Sequence, residues 1–207
     1  IDLRLGDCLE VMKTIETGSI DAIITDPPYG TTACKWDSVI DFDLMWEQLN
    51  RIIKPNGAIV LFGGEPFSSV LRASNIKDYK YDWKWEKTKA TGHLNAKRQP
   101  LRNIEDILVF YSKQCYYNPQ GTIEVNKKQV KKDTDCTMGN GYGNYGKNNK
   151  TTIQKVGNYP KQVLKFKKPS KNVHPTQKPI ELLEYLIKTY TNENETVLDF
   201  TMGSGST

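Results

Sequence analysis

The amino-acid sequence predicts an α/β fold, with a doubly wound, mostly parallel sheet covered by helices. Short apolar runs rich in β-branched residues, such as Ile20–Thr25 and Ala58–Phe62, are typical of strands that are buried on both faces. Amphipathic stretches at helical spacing separate these runs. Strands that alternate with helices favour a parallel sheet with helices on both sides.

The first elements are predicted from local signals. We expect a short strand over Leu3–Leu5, followed by a helix that begins near Asp7 and Glu10 in a capping-box arrangement. Gly18 ends this helix, and the strand Ile20–Thr25 follows.

A second helix is predicted from about Phe42 to Ile53, because its apolar residues share one face. Pro55-Asn56-Gly57 should end it and form a turn before the strand Ala58–Phe62. Further strands are predicted over Tyr81–Trp85 and Asp106–Tyr111, with Trp83 and Trp85 in the core, and a last helix over Pro179–Tyr190, with its proline near the first turn.

Composition predicts a cytoplasmic protein with no membrane span and no metal centre. The 207 residues suit one α/β domain with an insertion, and no stretch approaches the length of an apolar membrane helix. The four cysteines lack metal-site spacing and are expected to be reduced thiols. With only two histidines, a histidine-based metal site is not expected.

Positive charge is concentrated in one segment of the chain. The net charge is +5, yet the segment Lys113–Lys178 contains 14 lysines, no arginine and three acidic residues and therefore carries +11. A basic insertion on an acidic body indicates a surface that binds a polyanion. The alternative is a solvated loop that lysines keep soluble. The residues that we expect to contact phosphates are Lys127, Lys128, Lys131 and Lys132.

The stretch Asp26-Pro27-Pro28-Tyr29 directly follows the strand Ile20–Thr25. Open α/β sheets bind their ligands just outside the carboxyl ends of their strands. The two prolines have no N–H and a fixed φ, so this position offers a carboxylate, rigid carbonyl acceptors and an aromatic ring. These groups suit a planar ligand with an exocyclic amino group. Taken alone, the stretch is equally compatible with a strand-ending turn.

A second candidate site lies near the end of the sequence. The apolar residues Val197 and Leu198 lead into Asp199-Phe200-Thr201-Met202-Gly203-Ser204-Gly205-Ser206, a strand followed by a Gly-x-Gly turn. Such glycines allow the backbone to approach a ligand closely, although a plain turn has the same pattern. His174-Pro175-Thr176-Gln177-Lys178-Pro179 lies just before, at the entry to the last helix.

These motifs together resemble the amino-methyltransferases of bacterial and phage DNA, in the permuted group whose catalytic motif precedes the cofactor loop. Asp26 to Tyr29 resembles the catalytic motif of that family, and Asp199 to Gly205 resembles its S-adenosylmethionine loop. The segment His174 to Pro179 resembles the one that closes over the methionine part of the cofactor. Gly6-Asp7-Cys8-Leu9 resembles the strand end that meets the adenine ring.

The resemblance implies an S-adenosylmethionine-dependent methyltransferase that modifies N6 of a flipped adenine in double-stranded DNA. It implies catalytic roles for Asp26, Pro27, Pro28 and Tyr29. His93 and Arg98 lie in a loop over the expected pocket and are candidates for DNA contacts besides the four lysines. A homodimer and a cognate restriction endonuclease are further partners that the resemblance leaves open. The cofactor residues that it implies are Asp7, Cys8, Asp26, Thr176, Lys178, Asp199, Phe200, Gly203, Gly205 and Ser206.

Other functions stay open. Family members that act on cytosine N4 more often have Ser in place of Asp26, and relatives that modify protein glutamine have Asn, so Asp favours adenine without deciding it. RNA is another possible acceptor, and a non-catalytic DNA-binding relative is a further alternative.

We expect the chain to consist of three functional parts. Residues 1–112 form the catalytic part of the methyltransferase domain, 113–171 the basic target-recognition insertion, and 172–207 the cofactor-binding part of the same domain. An acidic ribose ligand normally follows the glycine loop by about 20 residues. We therefore expect the natural protein to continue beyond Thr207, into a helix and a strand ending in Glu or Asp.

Overall fold

The computed structural model describes residues 1–31, 37–130, 151–167, 177–203, 205 and 207. The chain divides into two compact units. One comprises Ile1–Asn118 together with Lys161–Thr207, and the other comprises Pro119–Pro160. The second unit lies inside the range expected for the basic insertion.

The larger unit alternates helices and strands, as the hydrophobic pattern predicts. Its elements in chain order are α1 (Cys8–Lys13), β1 (Ile20–Thr25), α2 (Phe42–Ile52), β2 (Ile53–Gly63), α3 (Phe67–Ser74), β3 (Tyr79–Thr91), a short 3₁₀ helix (His93–Asn95), β4 (Arg102–Phe110), β7 (Val163–Phe166), α4 (Ile180–Tyr190) and β8 (Val197–Leu198). The smaller unit contains a two-stranded antiparallel ribbon of β5 (Ile123–Val130) and β6 (Thr151–Gly157).

Six strands form the central sheet in the order β7-β3-β4-β2-β1-β8. The pairs β1–β2, β1–β8 and β3–β7 are parallel, whereas β4 runs antiparallel to both β2 and β3. The predicted α/β class with a mostly parallel sheet is confirmed. Strand β7 lies within the predicted insertion, yet it pairs with the main sheet.

Two apolar layers hold the helices against the sheet. One face packs against α4, where Leu182, Leu183 and Leu186 meet Trp83 and Trp85. Both tryptophans are buried, so their predicted place in the core is confirmed. The other face packs against the opposite layer of helices, with α1 contributing Met12, α2 contributing Met45, Trp46, Leu49 and Ile52, and α3 contributing Phe67 and Leu71.

Two local predictions are wrong. Residues Leu3–Leu5 are not a strand, and both leucine side chains are exposed. Both edges of β1 are already paired, with β2 and β8, which leaves no neighbouring position for them beside that strand.

The second wrong prediction is the turn at Pro55-Asn56-Gly57, which lies inside β2. The register between β1 and β2 shifts here, so the extra residues form an irregularity within the strand. A Cβ on Gly57 would lie 2.7 Å from the Asp21 carbonyl oxygen. The glycine therefore serves close approach of two strands.

The strand ends that precede Asp26 and Asp199 lie at one edge of the sheet. The carboxyl ends of β1, β2 and β8 meet there because these three strands are parallel. The antiparallel register pairs Gly63 with Asp106, so the start of β4 reaches the same edge. No helix in the described ranges is long and apolar enough to cross a membrane.

Candidate active site

Asp26 stands directly after β1, and both of its carboxylate oxygens are engaged. Oδ1 accepts a hydrogen bond of 2.6 Å from the Tyr29 hydroxyl. Oδ2 accepts one of 2.6 Å from the Lys178 ammonium, 152 residues further along the chain. The carboxylate is therefore held in one orientation by two donors. Pro27, which follows it, is buried.

Tyr29 is fixed on both its ring and its hydroxyl. Its ring stacks on that of Phe67 with a centroid distance of 4.9 Å and an interplanar angle of 23°. Burial, followed by the negative charge of Asp26, raises the pKa of Tyr29 well above its ordinary value. The phenol therefore stays protonated and acts as the donor to Asp26.

Asp37 holds the loop that carries Asp26 to Tyr29. Its Oδ1 accepts the backbone N–H groups of Tyr29, at 2.9 Å, and of Gly30, at 3.0 Å. Its Oδ2 accepts the N–H of Thr31 at 3.0 Å. One buried carboxylate thus satisfies three successive backbone donors. Sequence reasoning assigned Asp37 no role, because it follows the Asp26–Tyr29 stretch in a segment that was expected to be flexible.

Lys178 links Asp26 to a second carboxylate, that of Glu105 on β4. Its Nζ lies 3.3 Å from Glu105 Oε2, and Lys87 Nζ lies 2.9 Å from Glu105 Oε1. Burial disfavours the charged form of Lys178, but Asp26 and Glu105 outweigh it and raise the pKa of the ammonium. Burial likewise opposes ionisation of Glu105, while Lys178 and Lys87 together lower its pKa. Lys178 and Glu105 are therefore both charged at neutral pH.

Hydroxyl contacts join the loop after β8 to the carboxyl end of β1. Thr25 Oγ1 lies 2.5 Å from Asp199 Oδ1 and 2.6 Å from Thr201 Oγ1. Thr201 Oγ1 in turn donates to the Asp26 carbonyl at 3.1 Å. Burial raises the pKa of Asp199. The two loops that the sequence singled out at opposite ends of the chain are thus in direct contact.

The glycine turn leaves open space for a ligand. Gly203 has φ 52° and Gly205 has φ 68°, and a Cβ on Gly205 would have nothing within 4 Å. A Cβ on Gly203 would meet only the Thr201 carbonyl, at 3.9 Å. Phe200, just before, packs against the apolar layer that contains α2. An open, left-handed turn beside the enclosed carboxylate of Asp199 fits a nucleoside-type cofactor.

Two other predicted cofactor residues, Asp7 and Cys8, lie at the start of α1. Asp7 caps α1, and its Oδ1 accepts the N–H groups of Leu9 at 2.9 Å and Glu10 at 3.3 Å. Cys8 is half-buried, and burial raises the pKa of its thiol. Neither residue is brought to Asp26 by a hydrogen bond within the described chain. Thr176 and Ser206 lie outside the described residues.

The predicted DNA-contacting residues are solvent-exposed where they are described. His93 and Arg98 lie on the connection between β3 and β4. Lys127 and Lys128 lie on β5 of the smaller unit, and Lys131 and Lys132 are outside the described residues. Within the described ranges, no group of three or more metal-ligating side chains comes together.

The chain is similar in sequence to Type II methyltransferases. Over the whole chain, 29% of residues are identical to the Type II methyltransferase M.HpaI of Haemophilus parainfluenzae, of which the chain covers 65%. Identity to M.HinfI of Haemophilus influenzae is 27%, over 98% of this chain and 59% of that protein. The chain thus spans about 60 to 65% of the length of these two relatives.

Solved structures share the fold. The M1.HpyAVI complex with S-adenosylmethionine superposes with a TM-score of 0.62 at 24% identity, over 98% of this chain and 84% of that one. The cytosine-N4-specific PvuII DNA methyltransferase gives a TM-score of 0.61 at 14% identity, over 94% and 72%. The DNA methylase family of N6 and N4 amino-methyltransferases matches residues 20–207, which include both loops of the site. The chain therefore belongs to the N6/N4 DNA methylase family.

Proposed function

We propose that this protein transfers a methyl group from S-adenosylmethionine to the N6 amino group of a flipped adenine in double-stranded DNA. The observation that carries the proposal is the direct contact between the two loops, where Thr201 Oγ1 donates to the Asp26 carbonyl. In this proposal the Asp26 carboxylate serves the substrate, and the open glycine turn of the contacting loop serves the cofactor. S-adenosylmethionine is named because structures of related fold contain it.

The cofactor supplies an electrophilic methyl group on a sulfonium centre, and the residues of the glycine loop would hold it. Asp199 is enclosed and keeps its hydrogen bonds to Thr25 and to the Thr201 N–H. Gly203 and Gly205 leave the approach to this carboxylate clear of side chains. Phe200 is a further proposed member of this site, together with Asp7, Cys8, Thr176 and Ser206.

Asp26 would accept a hydrogen bond from the target amino group. An adenine amino nitrogen is a poor nucleophile, because its lone pair is delocalised into the ring. If Asp26 accepts a hydrogen bond from one amino N–H and the Pro27 carbonyl accepts one from the other, the nitrogen is drawn towards a pyramidal geometry with a localised lone pair. Each carboxylate oxygen has two lone pairs, so Asp26 can accept this bond while it keeps its two present donors.

Tyr29 would hold the base by stacking. One face of its ring packs on Phe67, so the base would lie against the opposite face. Pro28 fixes the backbone between the acceptor carbonyl and this ring. Orientation of this kind can contribute several kcal/mol, about 7 or more in the best cases. Because the amino group is paired within a duplex, the base must first be flipped out of the helix, at a cost of a few kcal/mol.

The basic residues would hold the DNA backbone, with His93 and Arg98 on the β3–β4 connection and the four lysines in the insertion. A cytoplasmic location, a homodimer and a cognate endonuclease belong to the same proposal. Sedimentation of the intact protein with and without duplex DNA would test the dimer.

The identity of the methylated nucleoside tests the central claim. Intact protein, duplex DNA and S-adenosylmethionine are incubated, and the DNA is digested and analysed by mass spectrometry. We expect N6-methyladenine, and about 100- to 1,000-fold less of it in the same time with an Asp26→Ala variant. N4-methylcytosine would exclude adenine as the target, whereas the absence of any methylated nucleoside would favour a non-catalytic DNA-binding protein.

A further inference from the structure

Two charged residues near the site have no part in the function proposed so far. Glu105 and Lys87 lie on adjacent antiparallel strands and form an ion pair of 2.9 Å. The side chain of Lys87 is only 10% exposed, and that of Glu105 is 21% exposed. Charges this enclosed are costly unless they are paired. An ion pair that is this enclosed does not serve solubility, so we ask what these two charges do near the site.

Glu105 reaches the catalytic carboxylate through a single side chain. Lys178 Nζ lies between Asp26 Oδ2, at 2.6 Å, and Glu105 Oε2, at 3.3 Å. The shorter contact is a hydrogen bond, whereas the longer one is a charge contact that leaves Glu105 Oε2 without a hydrogen bond. Four alternating charges thus run from Lys87 through Glu105 and Lys178 to Asp26.

We propose that Lys178 is a positioning residue that fixes the orientation of the Asp26 carboxylate, and that Glu105 acts through Lys178 by holding its ammonium in place. The inference rests on the proposed function, since it concerns how Asp26 meets the target amino group. Lys178 then has a role that is distinct from cofactor binding, and Glu105 also has a role in the reaction.

The orientation of Asp26 depends on having two donors. A carboxylate that must accept an amino hydrogen in one direction is useful only if it cannot rotate about its side-chain bonds. Tyr29 donates to Oδ1 and Lys178 donates to Oδ2, so rotation of the Asp26 side chain about either of its two side-chain bonds would break a hydrogen bond. Without Lys178, one donor would remain, and that donor is a neighbour in the same loop that can move together with Asp26.

Glu105 in turn keeps Lys178 extended over the site. The ammonium lies 5.1 Å from the centroid of the Phe62 ring and 5.9 Å from that of Tyr29, within reach of both aromatic faces. A lysine side chain has several rotatable bonds and would otherwise sample other positions. The enclosed carboxylate on the rigid strand β4 restricts it to this one.

A double-mutant cycle in the intact protein tests the inference. Glu105→Gln, Lys178→Ala and the double variant are compared in single-turnover methylation of duplex DNA at saturating cofactor and DNA. We expect Lys178→Ala to lower the rate about 100-fold and Glu105→Gln about tenfold, because small displacements of a reacting group have effects of this size. The double variant should be no slower than Lys178→Ala alone, since Glu105 acts only through Lys178.

Cofactor affinity, measured by calorimetry on the same proteins, is the second readout. A positioning role leaves the Kd for S-adenosylmethionine within about threefold of the wild-type value, roughly 0.7 kcal/mol. Glu86→Gln is the matched control, because Glu86 is the next residue after Trp85 on β3 and pairs with Lys165 in a more exposed ion pair. Its rate should be unchanged.

Additive rate losses in the cycle would overturn the inference, and so would an unchanged rate in Glu105→Gln. Normal rates at saturating cofactor with a greatly raised Kd in Lys178→Ala would make that residue a cofactor ligand and also overturn it. Glu105→Asp takes the place of Glu105→Gln if urea denaturation shows that the latter is unfolded. If the wild-type protein produces no methylated nucleoside, the proposed function itself fails, which is a separate result.

Discussion

The edge of the sheet around Asp26 and the β5–β6 ribbon differ in the environment of their charged side chains. At the edge, Asp26, Lys178 and Glu105 are enclosed and each touches a partner of opposite charge. On the ribbon, Lys127 and Lys128 are exposed to solvent. The charges at the edge are held by specific partners, whereas these two lysines present their charge to solvent.

The difference has a physical cause. Attraction between enclosed charges is screened little by salt, but attraction between exposed charges and a distant phosphate is screened over about 8–10 Å at ordinary ionic strength. A reaction that depends on orientation therefore belongs at the edge, and binding that depends on counterion release belongs on an exposed surface. Changes at the edge should alter the rate, and changes on the ribbon should alter DNA affinity.

The largest effect is expected at Asp26. Asp26→Ala removes one of the two proposed acceptors of the amino group, and loss of one preorganised polar partner typically lowers the rate by about two to three decades. The measurement is single-turnover methylation, with cofactor affinity followed by calorimetry. Asp21→Ala is the control, because it breaks a similar 2.6 Å lysine pair, with Lys54, at the other end of β1. An Asp26→Ala rate close to the wild-type value would remove this residue from the mechanism.

A smaller effect is expected at Asp37, which touches the loop backbone and not the proposed substrate. Asp37→Ala leaves the N–H groups of Tyr29, Gly30 and Thr31 without this acceptor, so the free energy of unfolding should fall by about 2 kcal/mol. The rate should fall about tenfold as the loop shifts. Urea denaturation and turnover are measured together.

Asp41 provides the control for this variant. It accepts the N–H of Leu44 at the start of α2, so Asp41→Ala should cost about 1 kcal/mol of stability with no change in rate. Equal rate losses in the two variants would mean that general destabilisation, and not the position of the loop, explains the result for Asp37.

Backbone strain introduced at the glycine turn should weaken cofactor binding, whereas similar strain in the smaller unit should not. Gly203 has φ 52°, so Gly203→Ala should cost about 1–2 kcal/mol in the left-handed conformation and weaken cofactor binding about tenfold. Gly121 in the smaller unit has φ 75°, and Gly121→Ala should meet similar strain without any effect on cofactor affinity. Calorimetry on both variants decides the matter, and a matching loss of affinity in Gly121→Ala would contradict a specific role for the glycine loop.

The sequence predicted the parts of the site that depend on strand order. Asp26 and Asp199 each follow an apolar run, and parallel neighbours bring such strand ends together, as the Thr25–Asp199 contact shows. Helix starts were also accessible, since Asp7 caps α1 as its local pattern indicates. These features follow from short-range patterns and one topological rule.

The polar partners of the site could not be predicted in this way. Glu105 meets Lys178 only because antiparallel β4 brings its first residues to the edge around Asp26, and no local pattern gives that register. Leu3–Leu5 looked like a strand because alternation reports a possible pairing but not whether a partner exists. At Gly57 the sequence showed a turn signal, while the close approach of β1 made the same glycine part of a strand.

The smallest effect on chemistry, and the clearest on binding, is expected from the lysines. Replacement of the four lysines by glutamine should make the slope of log affinity against log salt less negative by about 0.9 for each phosphate that is no longer neutralised. The rate at saturating DNA should stay within about twofold of the wild-type rate, because none of these side chains is proposed to orient the base. The control replaces four exposed lysines of the larger unit and changes net charge equally: Lys13, Lys77, Lys80 and Lys188. Equal slopes for the two variants would show that net charge alone governs DNA binding, and an unchanged slope in the first would assign the insertion lysines to a solvated face. A reduced rate at saturating DNA would break the comparison itself, since it would mean that the insertion takes part in orienting the target.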